Sequence, residues 1–447
     1  MDKIKKNNIM SHLESTKGKY FAKYHTLVFW FLAINPLYLY FAPKSPTGWD
    51  PHLYLPLCLA LLFLIVGVSL EIVNGIFREL PFDVKFLWFI LIVWAFIITF
   101  HNFEFSVEAI RYVFGRAFGA GTWFAPLAML AGTQIVFWRK IVKHFEIHTF
   151  IGIILSIIFG ISLLFGYKIL KGGEFFFKNL VPKYQIVNLK SLTAFLYASG
   201  FLLLCMPTPY GKKRLIAFLG DLFLFFYRGF LLVFRNRMFK YGNYILFYVL
   251  HWLFTQKEKF IFQKFLVIYF GIIYICFVGW SFYTGSVPSF LKQHNIYLKQ
   301  KLFRNSRKNL FKAFWKDMSR SKIDIIIGRG SWGKWGCYKD YYKNIKKGRL
   351  HIENGYAYIL LKGGLITLIP FLLLSLKAFF LGIKAKNWFI RSCALYIFLR
   401  LLDMFPYGLP MFDGNYLIYW LCVGACFKKE FREMSDSDWQ EVFYKGG

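Results

Sequence analysis

The stretch RLHIENGYAYILLKGGLITLIP, from Arg349 to Pro370, marks the point where a charged segment ends and a membrane-grade apolar run begins. His351, Glu353 and Asn354 stand at this boundary, and apolar residues dominate the chain after them. A charged group close to hydrocarbon is costly and is usually kept for a task. The boundary therefore predicts a membrane-spanning helix with a polar site at its mouth.

The composition extends this prediction to most of the chain. Of the 447 residues, 57% are hydrophobic and 22% are aromatic, which is more than a soluble domain of this length carries. A bilayer core of roughly 30 Å requires about 20 mostly apolar residues per helix. We predict an all-α, polytopic transmembrane helical bundle of about 12 spans, at about 25–43, 52–72, 82–101, 119–137, 148–166, 189–207, 214–234, 238–255, 260–283, 355–381, 388–404 and 414–427.

The distribution of the net charge of +33 predicts the orientation of these spans. If the N-terminus is cytoplasmic, short basic connections such as WRKIVKH (138–144) and GKKR (211–214) fall on the cytoplasmic side. The segments 44–51 and 404–414 then fall on the outer side, and they carry almost no positive charge. The connection 167–190 is basic and departs from this rule. The first apolar run has no small-residue cleavage site after it and predicts an uncleaved span.

This orientation divides the chain into three parts. Residues 1–283 hold the first nine helices, 284–354 form one large extracytoplasmic loop, and 355–447 hold the last three helices and a cytoplasmic tail. The loop carries 17 Lys and Arg residues against four acids. Its charge favours either anionic lipid headgroups or a phosphorylated substrate. No nucleic-acid-binding module is present in the sequence, so we expect no nucleic acid partner.

Two segments of the loop carry patterns of their own. NSRKNLFKAFWKDMSR (305–320) has apolar residues at helical spacing and predicts an amphipathic helix in the membrane interface. The following IIIGRGSWGKWGCY (325–338) combines turn-forming glycines with aromatic rings. These rings indicate an interfacial aromatic belt or a platform for sugar rings, which would include Trp332, Trp335, Tyr338 and Tyr356, with Asn354 beside them.

The order of these features resembles the O-antigen ligase and polysaccharide polymerase family of bacterial membrane glycosyltransferases. IIIGRG lies near the end of the outer loop, and a polar pair opens the next helix. Nine residues separate that pair from Gly364, and Thr367 follows three residues later. In the family the first residue of the pair is a histidine, and here it is Glu353, with His351 two residues earlier. This difference favours a polymerase over a ligase.

The resemblance implies a GT-C-like bundle and an inverting, metal-independent glycosyl transfer at the periplasmic face of the bacterial inner membrane. The donor and the acceptor would be glycans on undecaprenyl diphosphate, with membrane lipids and a chain-length regulator as further partners and no cofactor. Transfer to lipid A–core by a ligase is the first alternative. A lipid-linked glycan transporter or flippase is the second, although the halves of the chain show no clear self-similarity.

Arginines are the candidate ligands of the diphosphate. A guanidinium matches phosphate oxygens bidentately and stays charged in almost any environment. Snorkelling to headgroups is the alternative role for those at helix ends. The candidates are Arg111, Arg116, Arg228, Arg235, Arg237, Arg307 and Arg329.

Glu353 and His351 are the candidate catalytic bases for the incoming hydroxyl, in that order. Asn354 and Glu353 also suit a helix N-terminal cap. Near the C-terminus, Asp413 is predicted to serve a turn and Asp403 to pair with Arg400 one turn before it.

Overall fold

The structure is a computed structural model, and it describes residues 23–32, 55–73, 75–142, 202, 306–336, 348–405 and 409–444. Within these ranges the chain is mostly helical and contains no strand; one isolated β-bridge joins Trp335 to Arg349. The all-α prediction is confirmed for this part of the chain. Twelve spans are not established, because the predicted spans at 148–166, 189–207, 214–234, 238–255 and 260–283 lie outside the described residues, residue 202 excepted.

The α-helices are numbered along the described chain. They are α1 (residues 23–32), α2 (Leu55–Val73), α3 (Phe82–Phe100), α4 (Val107–Gly115), α5 (Ala120–Phe124), α6 (Ala128–Gly132), α7 (Ile135–Val142), α8 (Ser306–Met318), α9 (Lys322–Ile327), α10 (Gly355–Ile383), α11 (Trp388–Met404), α12 (Gly414–Phe427), α13 (Lys429–Glu433) and α14 (Asp436–Tyr444).

Three of these helices are long and apolar enough to cross a membrane: α2 over Leu55–Ile72, α3 and α10. A fourth candidate is the segment Val107–Gly132 with α7, which bends by 108° at the break between them. Their length and composition are those that the prediction of a membrane protein requires. The predicted spans 388–404 and 414–427 are helical but shorter, at 17 and 14 residues.

The predicted span 119–137 is not one continuous helix. It is divided into α5, a 3₁₀ turn at Ala125–Leu127, α6 and the start of α7. Pro126 lies in the 3₁₀ turn, where it has no N–H for a helical hydrogen bond. The hydrophobicity of this segment is typical of a span, but a proline and a bend interrupt its helical hydrogen bonding.

α3 and α10 run antiparallel. Near the start of α3, Asp83 pairs with Lys377 late in α10, and near its end Trp94 donates from Nε1 to the Gly363 carbonyl at 2.9 Å. The end of α3 and the start of α10 therefore lie on one side of the bundle. The predicted topology also places residues 101 and 354 on the same side of the membrane.

Close backbone packing joins α6 to α12. A Cβ on Gly132 would lie 2.1 Å from the Leu421 carbonyl oxygen, and a Cβ on Gly424 would lie 1.9 Å from that of Met129. Only glycine permits this approach, and it brings the broken segment against the last apolar helix.

Two acidic residues near the C-terminus have the roles predicted from the sequence. Asp413 caps α12 by accepting a hydrogen bond from the Tyr416 N–H at 2.9 Å. Asp403 lies 3.6 Å from the Arg400 guanidinium one turn earlier in α11. Both carboxylates therefore have local partners.

Candidate functional site

The site is organised around a break in α10. Gly364 has φ 64° and ψ −167°, which are not helical angles, so the carbonyls of the preceding turn lose their usual N–H partners. A side chain at Gly364 would also clash, because its Cβ would lie 2.1 Å from the carbonyl oxygen of Ile326. The glycine of the sequence motif is therefore required by both backbone conformation and packing.

The turn Gly328–Gly330 supplies the missing hydrogen bonds. The N–H of Arg329 donates to the Leu361 carbonyl at 2.7 Å, and the N–H of Gly330 donates to that of Lys362 at 2.9 Å. Gly328 and Gly330 have φ of 76° and 74°, a region open to glycine. The turn of IIIGRG and the glycine of α10 therefore form one structural unit.

Neighbouring groups complete the unit. The Gly363 carbonyl accepts from Thr367 Oγ1 at 2.9 Å as well as from Trp94. The N–H of Ser331 donates to the Ile98 carbonyl at 2.7 Å, which ties the turn to the end of α3. Thr367, the last residue of the motif, thus stabilises the break.

Arg329 holds the turn in place through two carboxylates. Its Nε lies 2.6 Å from Asp324 Oδ2 and its Nη1 lies 2.6 Å from Asp317 Oδ2. Asp317 also accepts from the Gly336 N–H at 3.1 Å. Arg329 was predicted as a diphosphate ligand, and in this structure its guanidinium is already engaged by Asp317 and Asp324.

His351 lies in an aromatic box formed by Tyr112, Phe118 and Tyr358. Its ring centroid is 5.4 Å from that of Tyr112, 4.7 Å from that of Phe118 and 5.8 Å from that of Tyr358. The Tyr112 hydroxyl lies 3.2 Å from His351 Nδ1 and 3.3 Å from Nε2. Burial, with the positive charges of Lys362 and Arg116, lowers the pKa of His351 to about 4. His351 is therefore neutral at pH 7.

Trp335 positions His351. Its backbone pairs with Arg349 in both directions, at 2.9 and 2.8 Å, and its Nε1 donates to the His351 carbonyl at 3.1 Å. The Trp335 ring is fully buried and packs on Phe314 of α8. The ring was predicted as a sugar platform; fully buried, it has no free face for a ligand and acts here as a support for His351.

Lys362 is a fully buried lysine in the first half of α10. Its Nζ donates to the carbonyls of Ser331 and Gly333 at 2.8 and 2.7 Å and lies 5.4 Å from the Tyr112 ring centroid. Two carbonyl dipoles and an aromatic face partly compensate the burial of this ammonium. Sequence reasoning missed Lys362, although a lone lysine in a predicted span is a signal for a functional or structural role.

The side-chain oxygen of Ser331 is fully buried and has no hydrogen-bond partner among the described residues. The backbone carbonyl of the same serine accepts a hydrogen bond from Lys362 Nζ at 2.8 Å. This part of the chain therefore contains a buried hydroxyl beside a buried amine.

The remaining candidates lie at the same end of the bundle in different environments. Arg116 is exposed and lies 5.8 Å from the Tyr112 ring, while Arg111 is half-buried on the same helix. Trp332 is 6% exposed, donates to Glu104 Oε2 at 2.9 Å and carries Lys334 over its ring at 4.4 Å. Tyr356 donates to the Leu401 carbonyl and is half-buried.

Glu353 and Asn354 have different surroundings. Asn354 caps α10, since its Oδ1 accepts from the Ala357 N–H at 2.9 Å and its Nδ2 donates to the Phe405 carbonyl at 2.6 Å. Glu353 is exposed beside this cap. The predicted N-terminal cap is confirmed for Asn354, whose amide is thereby occupied, and Glu353 keeps access to solvent.

Several predicted residues lie outside the described part of the chain. They are Arg228, Arg235, Arg237 and Tyr338. Arg307 lies in α8, where the structure describes only its helical backbone. Among the residues that the structure does describe, no group of three or more His, Cys, Asp or Glu side chains could hold a metal ion.

Comparison of the chain with protein-family models, with curated proteins and with solved structures finds no match. The family resemblance noted in the sequence thus stays a prediction. What the structure adds is that two motif residues, Gly364 and Thr367, form and stabilise one break of α10, while Asn354 caps the start of the same helix.

Proposed function

We propose that this chain is an inverting glycosyltransferase that polymerises glycan repeat units carried on undecaprenyl diphosphate, at the face of the bacterial inner membrane on which the 284–354 loop lies. One observation carries the proposal: His351 lies beside the Tyr112 hydroxyl, near Arg116 and Lys362, at the mouth of a spanning helix. Neutral hydrogen-bonding groups and fixed positive charge are what transfer from a lipid diphosphate requires.

The positive charges have a defined task in this chemistry. As the glycosidic bond to the diphosphate breaks, negative charge grows on the departing phosphate oxygens, and preorganised cations stabilise it. Arg116 is exposed and can contact such a group directly. The arginines at 228, 235 and 237 remain candidates for the same task.

The incoming sugar hydroxyl loses its proton to Glu353 in this proposal. Glu353 is exposed at the mouth of α10 and can reach a substrate from solvent. His351 is the alternative base, but a neutral imidazole whose pKa is about 4 is weakly basic at pH 7. In the favoured assignment His351 instead orients the acceptor by hydrogen bonding, together with Tyr112.

A deletion strain complemented with variants tests the function. Surface polysaccharide resolved on a gel should shorten to a single repeat unit in the deletion strain if the chain is a polymerase. Full-length lipid-linked polymer with uncapped lipid A–core would instead indicate a ligase. An unchanged pattern would contradict both assignments.

Variants then assign the roles within the site. Glu353→Gln and Arg116→Ala should give single-repeat product, while His351→Gln should shorten the chains without abolishing them. Lys384→Ala, which removes an exposed cation at the other end of α10, is the matched control and should leave chain length unchanged. A transporter would not depend on Glu353, so normal product from Glu353→Gln at normal protein levels would favour that alternative.

A further inference from the structure

The short helix α9 lies beside the spanning helix α10, not above its end. The Ile326 carbonyl is in backbone contact with Gly364, and Gly328 is in backbone contact with Lys362. Gly364 lies nine residues after the first residue of α10. At a rise of 1.5 Å per residue, this contact is about 14 Å along the helix axis from the N-terminal end of α10. Part of the large polar loop therefore runs alongside a helix that is long enough to cross the membrane.

The surface of α9 at this depth is apolar. Ile323 is 65% exposed and Ile326 is 49% exposed. α10 exposes Ile369 and Leu373 within the next three turns, and such residues on a spanning helix face acyl chains. The isoleucines of α9 extend this lipid-facing surface toward the loop.

Basic and aromatic residues border the two isoleucines. Trp315 of α8 is 47% exposed. The exposed cations nearby lie in α8, in the turn after it and at the start of α9: Lys312, Lys316, Arg320 and Lys322. Tryptophan favours the headgroup level of a bilayer. Each Lys or Arg near an anionic surface adds about 1 kcal/mol of attraction. A segment that lies in the membrane interface typically has apolar residues facing the acyl chains and Trp and basic residues at the headgroup level. The residues of α8 and α9 follow this pattern.

We infer that α8 and α9 form a membrane-embedded part of the loop: Ile323 and Ile326 insert among acyl chains, and Trp315 with its neighbouring cations binds anionic headgroups. The occupant of this surface is the lipid leaflet on the side of the bundle where α10 begins. The inference does not depend on the glycosyltransferase proposal. It also implies that lipid helps to hold the Gly328–Gly330 turn against the break in α10.

Depth-dependent fluorescence quenching tests this inference on the full chain. A fluorescent amino acid is placed at position 323 by codon suppression, and the protein is reconstituted in vesicles of phosphatidylethanolamine and phosphatidylglycerol. Quenchers are a nitroxide on the lipid acyl chain and aqueous iodide. Matched labels at 373, on the exposed face of α10, and at 353, at its exposed mouth, give the lipid and water references.

We expect the label at 323 to behave like the label at 373, with acyl-chain quenching at least about twofold stronger than at 353 and with protection from iodide. Iodide quenching at 323 equal to that at 353 would overturn the insertion. A second label at 316 reports the headgroup contact: nitroxide on the phosphatidylglycerol headgroup should quench it more than the same nitroxide on phosphatidylcholine. Equal quenching by both would overturn the anionic headgroup site.

Discussion

The backbone N–H of Arg329 donates to the carbonyl of Leu361 at 2.7 Å, and this bond joins the large loop to the interior of a spanning helix. The bond exists because Gly364 interrupts α10 and frees a carbonyl that the helix would otherwise use. Loop and helix break therefore stabilise each other. A change in either should alter the other and, with it, the position of His351.

Gly364→Ala should destabilise this unit. Alanine at φ 64° and ψ −167°, a region that is essentially restricted to glycine, costs about 1–3 kcal/mol from backbone strain alone. Its Cβ would also lie 2.1 Å from the Ile326 carbonyl oxygen. We expect a lower thermal unfolding temperature in nanodiscs and faster proteolysis within the loop. Lys384→Ala is the matched control, because it places alanine at an exposed position at the end of the same helix. Equal behaviour of the two variants would contradict the role assigned to the break.

The pKa of His351 predicts a pH dependence of stability. The pKa is about 4 in the folded protein and about 6.5 when unfolded, so the unfolded chain binds more protons between these values. The stability present above pH 6.5 is lost as the pH falls through about 4, by up to about 3 kcal/mol. Unfolding measured across this range should show the loss, and His351→Gln should remove it. A curve unchanged in His351→Gln would refute the assignment.

Lys362→Met should lower the local stability of loop residues 328–335 more than that of the helical bundle. Methionine keeps the length of the side chain but leaves the Ser331 and Gly333 carbonyls without their donor, at about 1–3 kcal/mol for each buried group. Hydrogen exchange of residues 328–335 should accelerate while exchange in α3 stays slow. Lys384→Met, an exposed lysine at the end of the same helix, serves as the control. Unchanged loop exchange in Lys362→Met would show that the ammonium does not anchor the loop.

Arg329→Lys should also release the loop, because a single ammonium cannot bond both Asp317 and Asp324 in the geometry of the guanidinium. We expect a loss of about 1–3 kcal/mol in the protection of loop amides, since one carboxylate keeps a buried charge without its partner. Arg320→Lys, whose side chain is 64% exposed and 3.8 Å from Asp317, should change protection by less than about 0.5 kcal/mol. Similar effects from both substitutions would indicate that Arg329 has no special role.

The sequence by itself determined the helical character of the described segments, the apolar runs that are long enough to cross a membrane, and the cap at the start of α10. It did so because apolar run length, helical periodicity and cap chemistry are local properties of the chain. It also predicts, from the alternation of spans, that Arg111, Arg116 and His351 lie on one side of the membrane.

Only the tertiary structure decided which groups share the site. Tyr112 and His351 are 239 residues apart in sequence, and nothing local predicts their hydrogen bond. Likewise, the sequence offered Trp335 and Arg329 as ligand-binding residues, but packing buried the first and two carboxylates engaged the second. Burial and pairing arise from contacts between distant segments, and for that reason the roles of these side chains depend on the fold.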